Sequence, residues 1–151
     1  MKATMLKTFA LGLLVTTAFS CSKSKSTPTK SNTELLTQSA WKIDVAGVDL
    51  DKNGSIDETY PFEDCEKDDT YVFNINGTGV LSNNALKCDD NDPTTEDFTW
   101  SFKTNGTVLF ASLTSIDGDA TIKTLNDANL EVYQDVENSG MSIRYIFRFK
   151  H

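Results

Sequence analysis

From Trp41 onward, apolar and polar residues alternate along much of the chain. The alternation is clearest in segments 71–75, 98–103 and 141–150, where aromatic or aliphatic residues occupy every second position. A period of two is what a β-strand with one buried and one solvated face produces. No window after residue 41 repeats apolar residues at the helical period of 3.6. The pattern predicts an all-β domain.

Turn residues divide this body into eight predicted strands. Asn76-Gly77 and Asn105-Gly106 are typical of type I′ hairpin turns, because both central residues of that turn need a positive φ. Further turn signals stand at 117–118, 126–127 and 139–140. The predicted strands cover about 41–48, 69–76, 79–86, 97–103, 107–114, 119–125, 129–136 and 141–150.

Short connections after the second strand predict that sequence neighbours pair antiparallel as a meander. Eight up-and-down strands close readily into a barrel, which leaves no sheet edge exposed. We therefore expect an eight-stranded antiparallel up-and-down barrel, and a two-sheet β-sandwich of the same strands is the alternative.

Residues 33–38, before the first strand, predict one helical turn with Thr33 as its N-cap. Its Leu35 and Leu36 would then plug one end of the barrel. A frayed linker end is the other interpretation.

Residues 1–20 have the pattern of a signal peptide. Lys2 and Lys7 precede an apolar run over 9–19, which is too short to span a bilayer. The run ends at Ser20-Cys21, which resembles a bacterial lipoprotein processing site, where the cysteine is acylated, with palmitate among the acyl groups. An ordinary signal peptide with an incidental cysteine is the alternative.

A polar tether and a folded domain are predicted to follow. Residues 21–32 contain no large apolar side chain and one proline, so they cannot collapse onto a core. The domain is then expected to cover 33–151. The processing site resembles that of lipoproteins from Bacteroidetes bacteria, in which an acidic run after the cysteine is associated with export to the cell surface. No such run follows Cys21, so the resemblance implies an outer-membrane lipoprotein that faces the periplasm rather than the cell surface.

Charge is distributed unevenly between these parts. The whole chain carries −8, but residues 41–151 hold 9 Lys and Arg against 21 Asp and Glu, which gives −12. Such a body does not suit nucleic acid, whose partners present basic patches. We expect instead that the protein contacts a membrane through its acyl chains and that its domain is a monomer.

Several segments are similar to the small lipocalin-like lipoproteins of Bacteroidetes bacteria. These segments are Ser39-Ala40-Trp41-Lys42, DLDKNG, CEKDDTYVFNINGTG, KCDDNDP, EDFTWSF and RYIFRFK. The resemblance covers roughly 33–151 and implies a lipocalin-like barrel. It also implies that Arg148 of the last strand stacks over Trp41 as a cation–π pair, with a solvent-facing Arg148 as the alternative.

Cys65 and Cys88 remain once Cys21 is assigned to acylation. Because an exported chain enters an oxidising compartment, these two cysteines are predicted to form a disulfide. Two free buried thiols are the alternative. A reactive pair is not expected, since the surrounding acidic residues would raise a thiol pKa.

Residues 49–57 have the spacing of a calcium-binding loop. Oxygen-bearing side chains stand at positions 1, 3, 5 and 9, and Gly54 stands at position 6, where the chain turns sharply. Position 12, a bidentate Glu in an EF-hand, is Tyr60. The predicted Ca²⁺ ligands are Asp49, Asp51, Asn53, Ser55 (through its carbonyl) and Asp57. A plain Asx/Gly turn is the alternative, and zinc is disfavoured by the lack of nitrogen and thiolate ligands.

Catalysis is not expected. The sequence has no Gly-rich phosphate loop and no GxSxG motif, and its one histidine, His151, leaves none for a triad inside the body. We expect instead a non-catalytic binding module for a small apolar ligand. The alternative is a filled barrel that contacts envelope proteins or glycans through an acidic, calcium-binding rim.

Bulky side chains would decide between these two interpretations. An eight-stranded interior is only just wide enough for side chains or one small ligand. The residues that would form either a ligand wall or a solid core are Trp41, Phe73, Trp100, Phe110, Tyr145 and Phe147. An interior cavity above about 300 Å³ would favour ligand binding.

Overall fold

The computed structural model describes residues 29–113, 116–138 and 140–151. The predicted signal peptide, Cys21 and most of the tether lie outside the described residues. In the described ranges, no helix has the length and apolar character needed to cross a membrane.

Strands dominate the described part of the chain. Its helices are α1 (Asn32–Thr37) and α2 (Asp64–Lys67), with a 3₁₀ helix at Thr104–Gly106. Its strands are β1 (Lys42–Asp49), β2 (Glu58–Thr59), β3 (Thr70–Phe73), β4 (Thr78–Ser82), β5 (Thr95–Lys103), β6 (Val108–Leu113), β7 (Ile116–Leu125), β8 (Asn129–Asn138) and β9 (Met141–Lys150). The all-β prediction is confirmed. The predicted strands correspond to all of these except β2, which lies in the long first connection.

All strand pairs are antiparallel and belong to one sheet, in the order β2-β1-β9-β8-β7-β6-β5-β4-β3. The meander is therefore confirmed from β3 to β9, and β1 pairs with β9, as the predicted barrel requires of its first and last strands. One continuous sheet replaces the two sheets of the alternative sandwich.

The barrel does not close along its length. The far end of the sheet meets β1 only at an isolated bridge, where Trp41 and Tyr71 exchange backbone hydrogen bonds of 2.9 and 2.8 Å. The second half of β1 is unavailable for β3, because Gly47 and Val48 pair with β2. This competition for one strand edge opens the barrel at that end.

The two predicted type I′ turns have different outcomes. Asn105 and Gly106 both have positive φ, 55° and 83°, and the Thr107 N–H donates to the Thr104 carbonyl at 3.2 Å. This turn is confirmed. At the other, Gly77 alone is left-handed, and its N–H closes a turn back to Asn74 at 3.0 Å. The prediction for Asn76-Gly77 is wrong, because this hairpin uses a longer loop with one left-handed glycine.

The N-cap of helix α1 lies two residues earlier than predicted. The Ser31 hydroxyl accepts the Glu34 N–H at 3.2 Å, and Glu34 in turn accepts the Ser31 N–H at 2.7 Å. Ser31, not Thr33, is the N-cap, because this reciprocal capping box satisfies both free N–H groups. The Leu36 side chain is fully buried, and its backbone carbonyl accepts a hydrogen bond from the indole N–H of Trp41 at 2.9 Å. The helix therefore covers the Trp41 end of the sheet.

The interior of the sheet is a packed core. Trp41, Phe73 and Trp100 are buried there, and the Phe73 ring meets the Trp100 ring edge-on with centroids 5.8 Å apart. Only about 10 Å³ of space remains between the core residues that surround Leu109 and Phe149. The interior around these core residues is therefore filled by side chains.

His151, not Arg148, covers Trp41. The two rings have centroids 3.8 Å apart with planes inclined by 32°. Arg148 lies instead beside Glu131, with its Nε 3.2 Å from the carboxylate. The predicted cation–π pair is wrong, because the carboxylate on β8 offers the guanidinium an ion pair directly across from β9.

The predicted disulfide between Cys65 and Cys88 is confirmed. Their Cα atoms lie 5.3 Å apart, and the bond joins α2 to the connection between β4 and β5. The two acidic segments that flank these cysteines are thereby held together.

Candidate functional site

A pocket of about 460 Å³ opens beside the filled interior. We call it the side pocket. It lies between β1, β9, the segment that follows β2, and α2. Its lining residues are Ala46, Gly47, Val48, Glu58, Thr59, Tyr60, Pro61, Phe62, Glu66, Tyr145 and Phe147.

Strand register places the floor of the side pocket on the core side of the sheet. Ala46 lies opposite Phe147 and Val48 opposite Tyr145. Residues two apart on a strand share a face, so Phe147 and Tyr145 continue the face from which Phe149 enters the core. The pocket is thus an extension of the core that the open end of the barrel leaves unfilled.

The cover of the pocket depends on a close backbone approach at Gly47. A Cβ placed on Gly47 would lie 2.2 Å from the Glu58 carbonyl oxygen and 2.4 Å from Ile56. Glycine therefore permits β2 to lie against β1. The Tyr60 N–H then donates to the Ala46 carbonyl at 2.8 Å, which fixes the following aromatic residues above the floor.

Aromatic rings form much of the pocket surface. The Tyr60 and Phe62 rings meet edge-on with centroids 4.8 Å apart. Phe62 and Phe147 are half-buried, whereas Tyr60 and Tyr145 are 55% and 40% exposed. Large aromatic side chains left this exposed around one concavity are typical of a binding surface.

The six residues predicted to form a ligand wall lie in three different places in the structure. Tyr145 and Phe147 line the side pocket, whereas Trp41, Phe73 and Trp100 belong to the core. Phe110 lies at neither place. Its neighbours Leu109 and Ala111 are buried, so the ring stands on the outer face of β6 beneath the Lys103 ammonium, 4.6 Å from its centroid.

Sequence reasoning missed the cover of the pocket. The residues Tyr60, Pro61 and Phe62 interrupt a long acidic connection with three apolar side chains. That interruption is the signal that could have identified them, because a purely solvated loop has no need of two aromatic rings.

The acidic loop after β1 is organised around Asp49, which is completely buried. Its two carboxylate oxygens accept the backbone N–H groups of Asn53 and Gly54, at 3.0 and 2.7 Å. Lys52 and Gly54 adopt positive φ values of 59° and 89°, which folds the loop back over this carboxylate.

Three of the five predicted Ca²⁺ ligands come together in this loop. Oxygens of Asp49, Asp51 and Asp57 all lie within 4.8 Å of one another. Asn53 bridges locally: its amide donates to Asp51 at 2.9 Å, and its oxygen accepts the Ser55 N–H at 2.8 Å. The loop therefore also satisfies the alternative of an Asx-type turn, and calcium binding stays a prediction.

Lysines hold this loop without neutralising its three carboxylates. Lys52 contacts Ser142 and lies 3.7 Å from Asp135, and Lys123 donates to the Gly54 carbonyl at 2.9 Å. Among the ion pairs in the described ranges, none involves Asp49, Asp51 or Asp57. Arg144 nevertheless lies opposite Asp49 across β1 and β9, and its pKa is raised chiefly by the hydrogen bond to Asp135 and also by the charge of Asp49.

A second acidic cluster lies beside the disulfide and α2. Asp68 accepts the N–H groups of Ala85 and Leu86 at 2.9 and 3.1 Å. Burial raises the pKa of Asp69 to about 6, and repulsion from Asp68, Glu66 and Asp92 adds to the effect. The charge around α2 is thus strongly negative, and part of it borders the side pocket through Glu66.

Comparison with known protein families gives one match that covers most of the chain. The family described as lipocalin-like domain matches residues 23–132. No curated protein is similar enough to match the chain.

Proposed function

The chain belongs to the lipocalin-like domain family, and from this premise we propose that it is a non-catalytic module that binds a small apolar ligand in the side pocket. The family fold is generally a binding fold without catalysis. In this chain the filled interior leaves the side pocket as the concave surface best suited to that role.

The pocket geometry carries this proposal. Its volume of about 460 Å³ lies within the range of roughly 300–1,000 Å³ that small-molecule sites occupy. Aromatic and aliphatic groups dominate its surface, and the strand register that builds its floor is fixed by the pairing of β1 with β9. An apolar ligand would remove from water the exposed rings of Tyr60 and Tyr145, which is favourable.

Binding of N-phenyl-1-naphthylamine, a neutral fluorescent apolar probe, tests the proposal. Tyr145→Ala removes one wall of the pocket and is expected to weaken probe binding about threefold to tenfold, the usual value of one aromatic contact. Val136→Ala is the matched control, because Val136 is 42% exposed against 40% for Tyr145 and does not line the pocket. Equal affinities for Tyr145→Ala and the unchanged chain would contradict the proposal.

We further propose that acyl chains on Cys21 anchor the domain to the outer membrane, on its periplasmic side. The support is the sequence alone: a short apolar run, Ser20-Cys21 and a polar tether. Cys21→Ser is expected to abolish labelling by a fatty-acid probe and to release the protein from membranes. Labelling and membrane association that persist in this variant would rule the anchor out.

The second candidate function is an interaction head with an acidic, calcium-binding rim. Two observations favour it: the filled interior, and the three carboxylates of Asp49, Asp51 and Asp57, whose oxygens lie within 4.8 Å of one another. A bound Ca²⁺ would relieve the repulsion among these carboxylates and give the rim a fixed shape for envelope proteins or glycans. Binding of a partner by this rim would depend on calcium, and this dependence distinguishes it from ligand binding in the side pocket.

A further inference from the structure

The charged groups that line the side pocket all have one sign. Glu58 and Glu66 are the only charged residues among its described lining residues, which include no Lys or Arg. Glu66 is half-buried, and one of its oxygens accepts the Glu63 N–H at 2.8 Å as part of the capping box of α2. Its position is therefore fixed relative to the pocket.

Two cations beside the pocket-lining residues are already paired with other acids, and Lys87 next to Cys88 donates to the Asp92 carbonyl. Lys67 lies 3.3 Å from Asp64 on the same helix, and Arg144 forms a two-point contact with Asp135 at 2.9 and 3.0 Å. The excess of negative charge near the pocket is also evident at Asp69, whose pKa is raised by burial and then by Asp68 and Glu66. An anionic ligand would meet repulsion from Glu58 and Glu66 at the pocket itself.

Aromatic faces next to carboxylates are a recurring way to bind organic cations. A ring attracts an ammonium group through its negative face, and a carboxylate adds direct Coulomb attraction. The side pocket combines the rings of Tyr60, Phe62 and Tyr145 with the Glu66 carboxylate. We propose that the ligand of the side pocket is an amphiphile with an apolar body and an organic ammonium group, which Glu66 holds as its counter-ion.

This inference rests on the proposed binding function and adds to it a preference for charge. The apolar floor of Ala46, Val48 and Phe147 binds the body of the ligand, and this part does not distinguish charged from neutral compounds. The carboxylate at the edge then selects the ammonium form. Fatty acids and other anionic lipids are accordingly poor ligands.

Three probes of one shape measure this preference: 4-phenylbutylamine, 4-phenylbutanol and 4-phenylbutanoate. At pH 7.5 the amine is a cation and the acid an anion, while the aromatic body is unchanged. Dissociation constants are measured by chemical-shift titration of the full chain carrying Cys21→Ser. At low salt we expect the amine to bind about fivefold tighter than the alcohol and the carboxylate about fivefold more weakly, with both ratios shrinking in 0.5 M NaCl.

Glu66→Gln is the decisive variant, because glutamine also completes a capping box and leaves α2 its N-terminal hydrogen bond. It is expected to bring the amine and the alcohol to within about twofold of each other while the affinity for the alcohol is unchanged. Glu137→Gln removes the same charge from a residue that does not line the pocket, and it should keep the full preference.

The outcomes separate this inference from the function on which it rests. Equal binding of the amine and alcohol, or tighter binding of the carboxylate, would overturn the charge preference and leave the apolar pocket standing. An unchanged preference in Glu66→Gln would overturn the role of Glu66. Binding of none of the three probes would overturn both the preference and the proposed pocket function.

Discussion

Removal of the Cys65–Cys88 disulfide is expected to lower the free energy of unfolding by about 3 kcal/mol. The perturbation is the double variant Cys65→Ala/Cys88→Ala. Cys88 is exposed and Cys65 half-buried, so the loss of two sulfur atoms removes little packing in the folded state. Most of the effect therefore lies in the unfolded chain, which gains freedom when the cross-link is absent.

The magnitude follows from the length of the closed loop. The two cysteines are separated by 23 residues. In the chain-entropy description, a loop of this length restricts the unfolded chain by roughly 11 cal/mol/K, which is about 3.4 kcal/mol at 25 °C. With an unfolding entropy of about 2.1 cal/mol/K per residue over about 120 residues, the melting temperature should fall by about 14 °C.

Urea unfolding monitored by tryptophan fluorescence measures this change. The double variant should show a lower midpoint and an m-value that is equal or larger, because its unfolded state is more expanded. The unchanged protein under reducing conditions should follow the double variant, and the unchanged protein without reductant is its control. A double variant within about 1 kcal/mol of the disulfide-bonded protein would refute the reasoning.

Removal of the disulfide is also expected to affect the side pocket. Cys65 and Glu66 are adjacent on α2, a helix of four residues that cannot be stable by itself. The bond ties this helix to the β4–β5 connection. In its absence, the preference for ammonium over alcohol should decrease, even where the sheet remains folded.

Three further perturbations test the acidic loop, the second acidic cluster and the cover of the pocket. If the loop binds Ca²⁺ with a dissociation constant near 10⁻⁴–10⁻³ M, stability should rise by about 2.7 kcal/mol at one hundred times that concentration. Asp49→Asn/Asp51→Asn should abolish this rise, and equal melting temperatures of the unchanged protein in Ca²⁺ and in chelator would contradict calcium binding. Asp69 has a folded-state pKa of about 6, above its ordinary 3.8, so its proton is favoured in the fold and stability is lost as pH rises from about 4 to 6. Asp69→Asn should accordingly be more stable than the unchanged protein at pH 7.5, by about 1 kcal/mol after solvent screening, and should show no such gain at pH 4. If urea unfolding gives both proteins the same dependence of stability on pH, the raised pKa of Asp69 does not affect stability. Gly47→Ala should displace β2, since the new methyl group would meet the Glu58 carbonyl. N-phenyl-1-naphthylamine binding should weaken severalfold, while backbone spectra should show that the rest of the sheet is retained. Full binding by this variant would show that the pocket does not need the contact between Gly47 and β2.

The sequence by itself determined the class of the fold, the meander order of β3 to β9 and the cross-link. Alternation of period two identifies strands locally, and short connections leave a meander as the simplest pairing, so these features need no knowledge of distant contacts. The pairing of Cys65 with Cys88 needed only a count of cysteines and an oxidising compartment. The hairpin at Asn105-Gly106 was equally local, because two consecutive positive φ values suit these two residues.

Only the tertiary structure decided which apolar residues form the core and which line a pocket. Residues 108–111 are all apolar, so their pattern cannot tell which face is inside, and the pairing of β6 with its neighbours turned Phe110 outward. His151 covers Trp41 in place of the predicted Arg148, because the Arg148 guanidinium pairs with Glu131 on the adjacent strand. The open barrel and its side pocket depend on Gly47 meeting Glu58 across a long connection. The alternation of apolar and polar residues reports only the local strand, so it carries no signal of the contact between Gly47 and Glu58. That contact forms only when the folded chain brings β2 against β1.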